Sequence, residues 1–351
     1  MTLVVSLKRP LFWGLFCLAL LSGCIKGEVQ PVALSGETMG AGYHVKYLPV
    51  EGAPEPGEVQ RLIELLLSSL DSKMSTYKEG TELAEFNRQT STKPFAVSPE
   101  TLEVLSEAIW IGKRSGGALD VTVLPLVELW GFGKNKGQDT STLPTSEQIK
   151  AAQAKLGLDQ LVLDPKGLTL TKKNPALQID FSAIAPGFAA DQIAELLDLF
   201  ELKNHMVEVG GEVRAEGTRG NGEPWRIGIE QPLAEAGKIE LVVELKNQSL
   251  ATSGDYRNYY EKDGKRYSHT LDPKTGRPID HKLASVSVVT PSCMSADGWA
   301  TALNVLGEEQ GFALAQKEGL AAFFIYRDGE GFKTKATPAF LALQKGPQPK
   351  P

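Results

Sequence analysis

Midway along, this chain changes texture: segments with helical periodicity dominate its first half, and strand-like runs dominate the second. Helices mixed with mostly hairpin-connected strands, without clean β-α-β alternation, indicate an α+β fold. The first helix is predicted from about Glu58 to Asp71, because Val59, Leu62, Ile63, Leu66 and Leu70 recur at helical spacing. It ends before DSKMSTY, and the loop LPVEGAPEPGEV joins it to an extended segment around Tyr43 to Tyr47. A second helix follows Ser98-Pro99, where serine caps and proline suits the first turn, and fades at Gly116-Gly117. A third starts at Thr145, with Gln148 completing a capping box, and stops at Gly157. A fourth opens at Gly187 with Ala189, Ile193, Leu196, Leu197 and Phe200 on one face. The segments HMVEVGGEVRAEG, PWRIGIEQP, KIELVVELKNQSLATSG, LASVSVVT and AAFFIYRDG read as strands, with a helix from about Ala296 to Leu306 between the last two.

Lys8 and Arg9 precede an apolar run, LFWGLFCLALL, that stops at Ser22-Gly23-Cys24, so residues 1–23 read as a secretory signal peptide. The run falls short of the roughly 20 residues of a bilayer span, which makes a transmembrane anchor the weaker reading. The string LSGC resembles a bacterial lipobox, whose cysteine is acylated and becomes the new N-terminus. Cys24 is therefore the expected lipidation site, with ordinary cleavage nearby and a free Cys24 as the alternative. The expected product is a periplasm-facing lipoprotein anchored to a bacterial membrane. Residues 24–34 carry no periodic pattern and read as a tether, 35–345 as the folded domain and 346–351 as a disordered tail. Loss of Lys8 and Arg9 takes the formal charge from −6 to −8, and such an acidic chain argues against a nucleic-acid partner. Cys293 is the only cysteine left in the body, which excludes an internal disulfide or a thiolate metal cluster.

Two acid-centred segments place polar residues where a core pattern prefers apolar ones. In QIDFSAIAPGFAAD, Asp180 follows a strand and Gly187 opens a helix, whose free amides favour a phosphate or carboxylate. A tight turn with a capping acid accounts for the same residues. In SCMSADGWATALNVLG, Asp297 and Thr301 lie four apart on one helical face. With a backbone carbonyl they could hold a hard cation such as magnesium; the alternative is an acid stabilised by the helix dipole beside a filler threonine. The histidines, His44, His205, His269 and His281, show no zinc-ligand spacing. His269, in RYSHTLDPKTGRPI, is either catalytic or a solvated turn residue. Tyr77, just after the first helix, could stack on a flat ring or fill the core, and spacing alone decides neither.

Taken together and in order, the blocks MG at Met39, DSKMSTY, ELAEFN, ALDVTVLPLVELWGFG, IDFSAIAPG, VEVGGE, TSGDYRNY, SHTLDPKTGRP and ADGWATAL resemble the ApbE family of FAD:protein FMN transferases. The resemblance runs from about Met39 to beyond Leu306. It implies a T-fold type of α+β protein, with antiparallel sheets, packed helices and a flavin cleft in which FAD binds with magnesium at its diphosphate. Carried over, Met39, Tyr77, Ala118, Leu119, Asp120, Asp180, Pro186, Ser253, His269 and Leu271 fall at flavin-binding positions, with Tyr77 against the isoalloxazine. Asp297, Thr301 and the carbonyl of Ala183 fall at metal positions, and His269 and Asp297 at catalytic ones.

The implied reaction moves FMN from FAD onto a threonine of an acceptor flavoprotein subunit of the NqrC or RnfG kind, releasing AMP. Hydrolysis of FAD to FMN and AMP, or flavin binding without turnover, are the competing functions. Two departures stand out. Pro186 sits where many relatives carry lysine and others glutamate, and Ala300 where some place an acid beside the metal-site threonine.

Overall fold

The protein is seen as a computed structural model, which describes residues 29–134, 142–233, 237–256 and 258–344. The expected signal peptide, Cys24 and the tail 346–351 lie outside the described residues. At the centre is an eight-stranded sheet whose spatial order follows chain order, each neighbouring pair antiparallel. Its strands are β1 (Val32–Thr38), β2 (Ala41–Tyr47), β3 (His205–Val209), β4 (Glu212–Glu216), β5 (Gln248–Gly254), β6 (Leu283–Thr290), β7 (Ala321–Asp328) and β8 (Gly331–Ala336). Met39 (φ 49°) and Gly40 (φ 77°) close the first hairpin with the two left-handed residues that a two-residue turn of matching twist demands. β1 begins at Val32, so the last three residues of the expected tether belong to the sheet. Their signal was weak because this edge strand alternates only between half-buried and exposed positions.

All but the last of the remaining elements are insertions between neighbouring strands. Between β2 and β3 lie α1 (Pro56–Met74), α2 (Glu82–Arg88), α3 (Pro99–Arg114), α4 (Leu124–Leu129), α5 (Ser146–Gln153) and α6 (Ala185–Leu199), with a small three-stranded sheet. α7 (Cys293–Lys317) joins β6 to β7, and α8 (Pro338–Leu343) ends the fold. One face of the sheet packs against helices: Val59, Ile63 and Leu67 of α1, Val104, Leu105 and Ile111 of α3, Phe188 and Ile193 of α6 and Trp299 and Leu303 of α7 share one core with Val45, Val207 and Val288. Full burial of each such aliphatic side chain is worth about 1.5–3 kcal/mol. The other face is covered by the hairpin Trp225–Glu230 with Ile239–Leu245 and by α8, which bury Trp225, Val243 and Phe340 against Ala215, Leu250 and Phe323. Because both faces are covered, LASVSVVT is buried along seven of its eight residues instead of alternating.

The α+β reading holds, and the element boundaries differ where local chemistry overrides periodicity. α1 extends to Pro56 and Met74, since proline fits the first turn. α3 is capped by Ser98, whose hydroxyl accepts from Thr101 N, as expected. Thr145 and Gln148 form the full capping box, but α5 stops at Gln153, and Gly157 (φ 136°) already leads into a short 3-10 turn. α6 opens at Ala185 rather than Gly187, with Pro186 in its first turn. The helix expected to end at Leu306 does break there: Gly307 (φ 78°, ψ −175°) interrupts α7, after which the helix resumes to Lys317. Among the described residues, no helix is long and apolar enough to cross a membrane.

Candidate active site

α7 and α6 lock together at their N-terminal ends. Asp191 of α6 accepts from Ser292 Oγ (2.8 Å), Cys293 N (2.8 Å) and Met294 N (2.9 Å), satisfying free amides at the positive end of α7. One turn further, Asp297 Oδ2 accepts from Gly187 N at 3.0 Å. Glycine is required at 187 because a Cβ there would lie 2.4 Å from the carbonyl oxygen of Cys293 and 2.8 Å from Asp297 Cβ. The close helix crossing therefore sets where the Asp297 carboxylate sits. Cys293 itself is fully buried, and burial pushes its thiol well up, so it is an inert packing residue.

Beside this crossing lies a cavity of about 400 Å³. Its lining includes Tyr77, Ala118, Leu119, Asp120, Asp180, Ala183, Ser253, His269, Leu271, Asp297 and Thr301, so segments that span the sequence from 77 to 301 meet here. Asp297 and Thr301, four apart on α7, both face it. Asp180 does not cap α6: its carboxylate accepts from Ser182 N (2.7 Å) and Thr76 Oγ1 (3.1 Å), building the turn while lining the cavity. Tyr77 is no core residue, being 50 % exposed at the cavity. His269 Nδ1 lies 2.9 Å from the carbonyl oxygen of Asn258, which also accepts from His269 N at 3.0 Å. A carbonyl can only accept, so Nδ1 carries a proton, and in the neutral imidazole Nε2 keeps its lone pair.

Met39 and Pro186 do not line the cavity. Met39 is held in the β1–β2 turn and packs half-buried against the main core. Pro186, in the first turn of α6, faces the Gly210 turn. The lining also brings in Phe132, Glu212, Thr252 and Asn258, which spacing did not single out. For Glu212 the available signal was VEVGGE, where an acid follows a glycine pair at the start of a strand.

Three acids here carry raised pKa values. Burial pushes Asp297 up to about 7, against the opposing pull of the Gly187 amide. Glu212 is pushed well above the carboxylate range, first by burial and then by the charge of Asp297. Asp120 is raised by burial although Thr122 donates to it through N (2.8 Å) and Oγ1 (2.5 Å). None of the three has an ion-pair partner among the described residues. Nor, among them, does any trio of His, Cys, Asp and Glu side chains converge on a metal position. A cation in this cavity would thus be held by mixed oxygen donors, which Asp297, Thr301 and the Ala183 carbonyl could supply.

A sequence profile described as "ApbE family" matches residues 39–324. The chain belongs to the ApbE family. Among similar proteins is a FAD:protein FMN transferase of Vibrio cholerae serotype O1, 45% identical over 327 residues, covering 93% of this chain and 96% of the relative. Another, from Haemophilus influenzae, is 44% identical over 343 residues, or 95% and 98% of the two chains. The solved structure of flavin transferase ApbE from Vibrio cholerae superposes with TM-score 0.82 at 43% identity, covering 89% of this chain and 99% of that one. The Pseudomonas stutzeri flavinyl transferase ApbE in its apo form gives TM-score 0.82 at 41% identity, with 90% and 96% covered. The mixed helices and antiparallel sheets described above are thus the ApbE fold.

Proposed function

We propose that this chain is a FAD:protein FMN transferase, which moves the FMN half of FAD onto a threonine hydroxyl of a partner flavoprotein and releases AMP. Two nearly full-length relatives of that name support the reading. The structural observation that carries it is the convergence of Asp297, Thr301, Ala183 and His269 on a single cavity. A cation site and a proton acceptor that serve one reaction would have to share a cavity in this way.

Magnesium held by Asp297, Thr301 and the Ala183 carbonyl would neutralise the diphosphate charge that builds up as the bond breaks. The acceptor threonine Oγ attacks the riboflavin-side phosphorus. A new P–O bond forms, the bond from that phosphorus to the bridging oxygen breaks, and its electron pair leaves with AMP. His269 Nε2 takes the hydroxyl proton, a contribution of typically 10²–10⁴-fold. Tyr77, half-exposed at the cavity, offers a ring face to the isoalloxazine. The same reading includes acylation of Cys24, a periplasm-facing site at a bacterial membrane and an acceptor subunit of the NqrC or RnfG kind.

The test is to incubate the purified protein with FAD, magnesium and an acceptor subunit, measuring AMP release alongside a flavin-fluorescent band that survives denaturation. Equal yields of AMP and covalent flavin are expected. AMP with free FMN and no labelled acceptor would make the protein a FAD pyrophosphatase, and bound flavin without AMP would make it a non-catalytic binder.

A further inference from the structure

His269 is not held by the central sheet. It follows a separate hairpin, Tyr259–Lys262 with Lys265–Ser268, whose last register pair is Tyr259 with Ser268. One step beyond, the Asn258 carbonyl accepts from both the backbone and the ring of His269. The orientation of the imidazole is therefore only as fixed as the base of this two-stranded unit, and a hairpin of that size is marginal on its own.

The hairpin packs against the rest of the molecule through aromatic rings. Tyr260 and Tyr267 are register partners on opposite strands, and their rings stack at 5.3 Å and 21°. Trp130 stacks on Tyr267 at 6.0 Å and 27°, and Phe132 on Tyr260 at 5.3 Å and 28°. Trp130 and Phe132 are two residues apart, separated by Gly131 in a left-handed conformation (φ 77°). Trp130 is itself fixed, its indole N–H donating to the Gly276 carbonyl at 2.8 Å. Phe132 then meets the His269 ring edge-on, at 6.4 Å and 70°. The ring cluster thus touches the imidazole through Phe132.

We infer that the four-ring cluster of Trp130, Tyr267, Tyr260 and Phe132 is a positioning device that holds the base of the hairpin closed and keeps His269 in the Nδ1–H tautomer. Tyr260 and Tyr267 do not line the cavity, so they act through His269 and not on the substrate. What the tyrosines contribute is their ring faces; the phenol hydroxyls have no part in the cluster. The functional consequence rests on the reading of His269 as proton acceptor, whereas the tautomer does not.

The full-length chain with ¹⁵N-labelled histidine separates the two. Its His269 ring signals, identified by their loss in His269→Gln, are expected to report a fixed Nδ1–H tautomer in the wild type. Tyr260→Phe should preserve that signature, and Tyr260→Ala should replace it with shifts averaged over both tautomers. In parallel, kcat for covalent transfer should fall about 10- to 100-fold in Tyr260→Ala with KM for FAD within about twofold, and recover in Tyr260→Phe. Trp130→Leu, which removes the ring stacked on Tyr267, provides a second variant with the same expected signature. A fixed Nδ1–H tautomer in Tyr260→Ala and Trp130→Leu, or its loss in Tyr260→Phe, would overturn the inference. Full transfer by His269→Gln would instead remove the catalytic reading of His269 while leaving the tautomer result to judge the cluster.

Discussion

Gly187→Ala tests whether the contact between α6 and α7 builds the site. The added methyl would meet the Cys293 carbonyl oxygen at 2.4 Å and Asp297 Cβ at 2.8 Å, so relief needs a separation of roughly 1 Å. Neither neighbour is the tip of a flexible side chain, and Asp191 pins the start of α7 through three hydrogen bonds. Overpacking of this kind costs about 1–3 kcal/mol. Losing the Gly187 N–H bond to a carboxylate adds about 1.5–3 kcal/mol. The better helix propensity of alanine returns about 1 kcal/mol, leaving a net loss of about 2–5 kcal/mol. For a domain of this size that corresponds to a fall in Tm of roughly 5–15 °C. Because the same shift displaces Asp297, AMP release should drop about 100-fold, the usual consequence of an ångström of misplacement. Gly57→Ala is the control: it lies in α1 with open space around its Cβ and should leave activity unchanged. A Gly187→Ala protein that melts within a degree of wild type and turns over normally would refute the view that this crossing positions the carboxylate.

Asp297→Asn should reduce transfer by at least about 10²–10³-fold yet raise the melting temperature of the magnesium-free protein at pH 8. Burial lifts the Asp297 pKa to about 7, so the folded state keeps a proton that the unfolded chain releases. Wild-type stability then falls as pH rises from the ordinary aspartate value towards 7, and the advantage of the asparagine variant grows over the same window. No change in the melting difference between pH 4 and pH 8 would contradict this. Lys172 is 1 % exposed and donates to the carbonyls of Phe86 (3.1 Å) and Leu177 (3.0 Å), while burial lowers its pKa to about 8. Its ammonium destabilises the fold below that value, and the loss disappears as pH climbs towards 10.5. Relative to Lys172→Met, denaturant titration should therefore show wild type gaining up to about 3 kcal/mol between pH 7.5 and 10.5; a constant difference would count against it. Tyr77→Ala should weaken FAD binding about two- to tenfold by fluorescence titration, and unchanged affinity would exclude a stacking role.

Much of this site was readable because helical spacing is a local property. Asp297 and Thr301 share a face of α7 whatever the rest of the chain does, and Ser98 and Thr145 cap their helices through atoms three residues away. What stayed hidden is set by partners distant in sequence. Glu212 looks like any strand acid until β4 is placed beside α7, and only then do burial and Asp297 raise its pKa. Asp191 reads as a solvated helix acid, yet it binds amides more than a hundred residues away. Pro186 and Met39 came from the family resemblance alone, and local backbone needs determine where they sit: one suits a helix's first turn, the other adopts a left-handed hairpin turn. The α2 and α4 segments, seven and six residues long, are too short for a periodic pattern to register.

The register of the sheet also bears on how an acceptor reaches the cleft. β1 starts at Val32, opposite Tyr47, and the pairings pass through His205 and Glu216 at the same end. Glu212 and residues 252–254, which line the cavity, lie at the other end of their strands. The distance between the two ends is about 20 Å, six residue steps at the strand rise. With Cys24 acylated as proposed, the five steps from Cys24 to Val29 reach at most about 18 Å. A lipid there would tether the end of the sheet remote from the cavity. With the sheet standing upright on that tether, an acceptor threonine would reach the cleft on a segment about 20 Å clear of the bilayer surface.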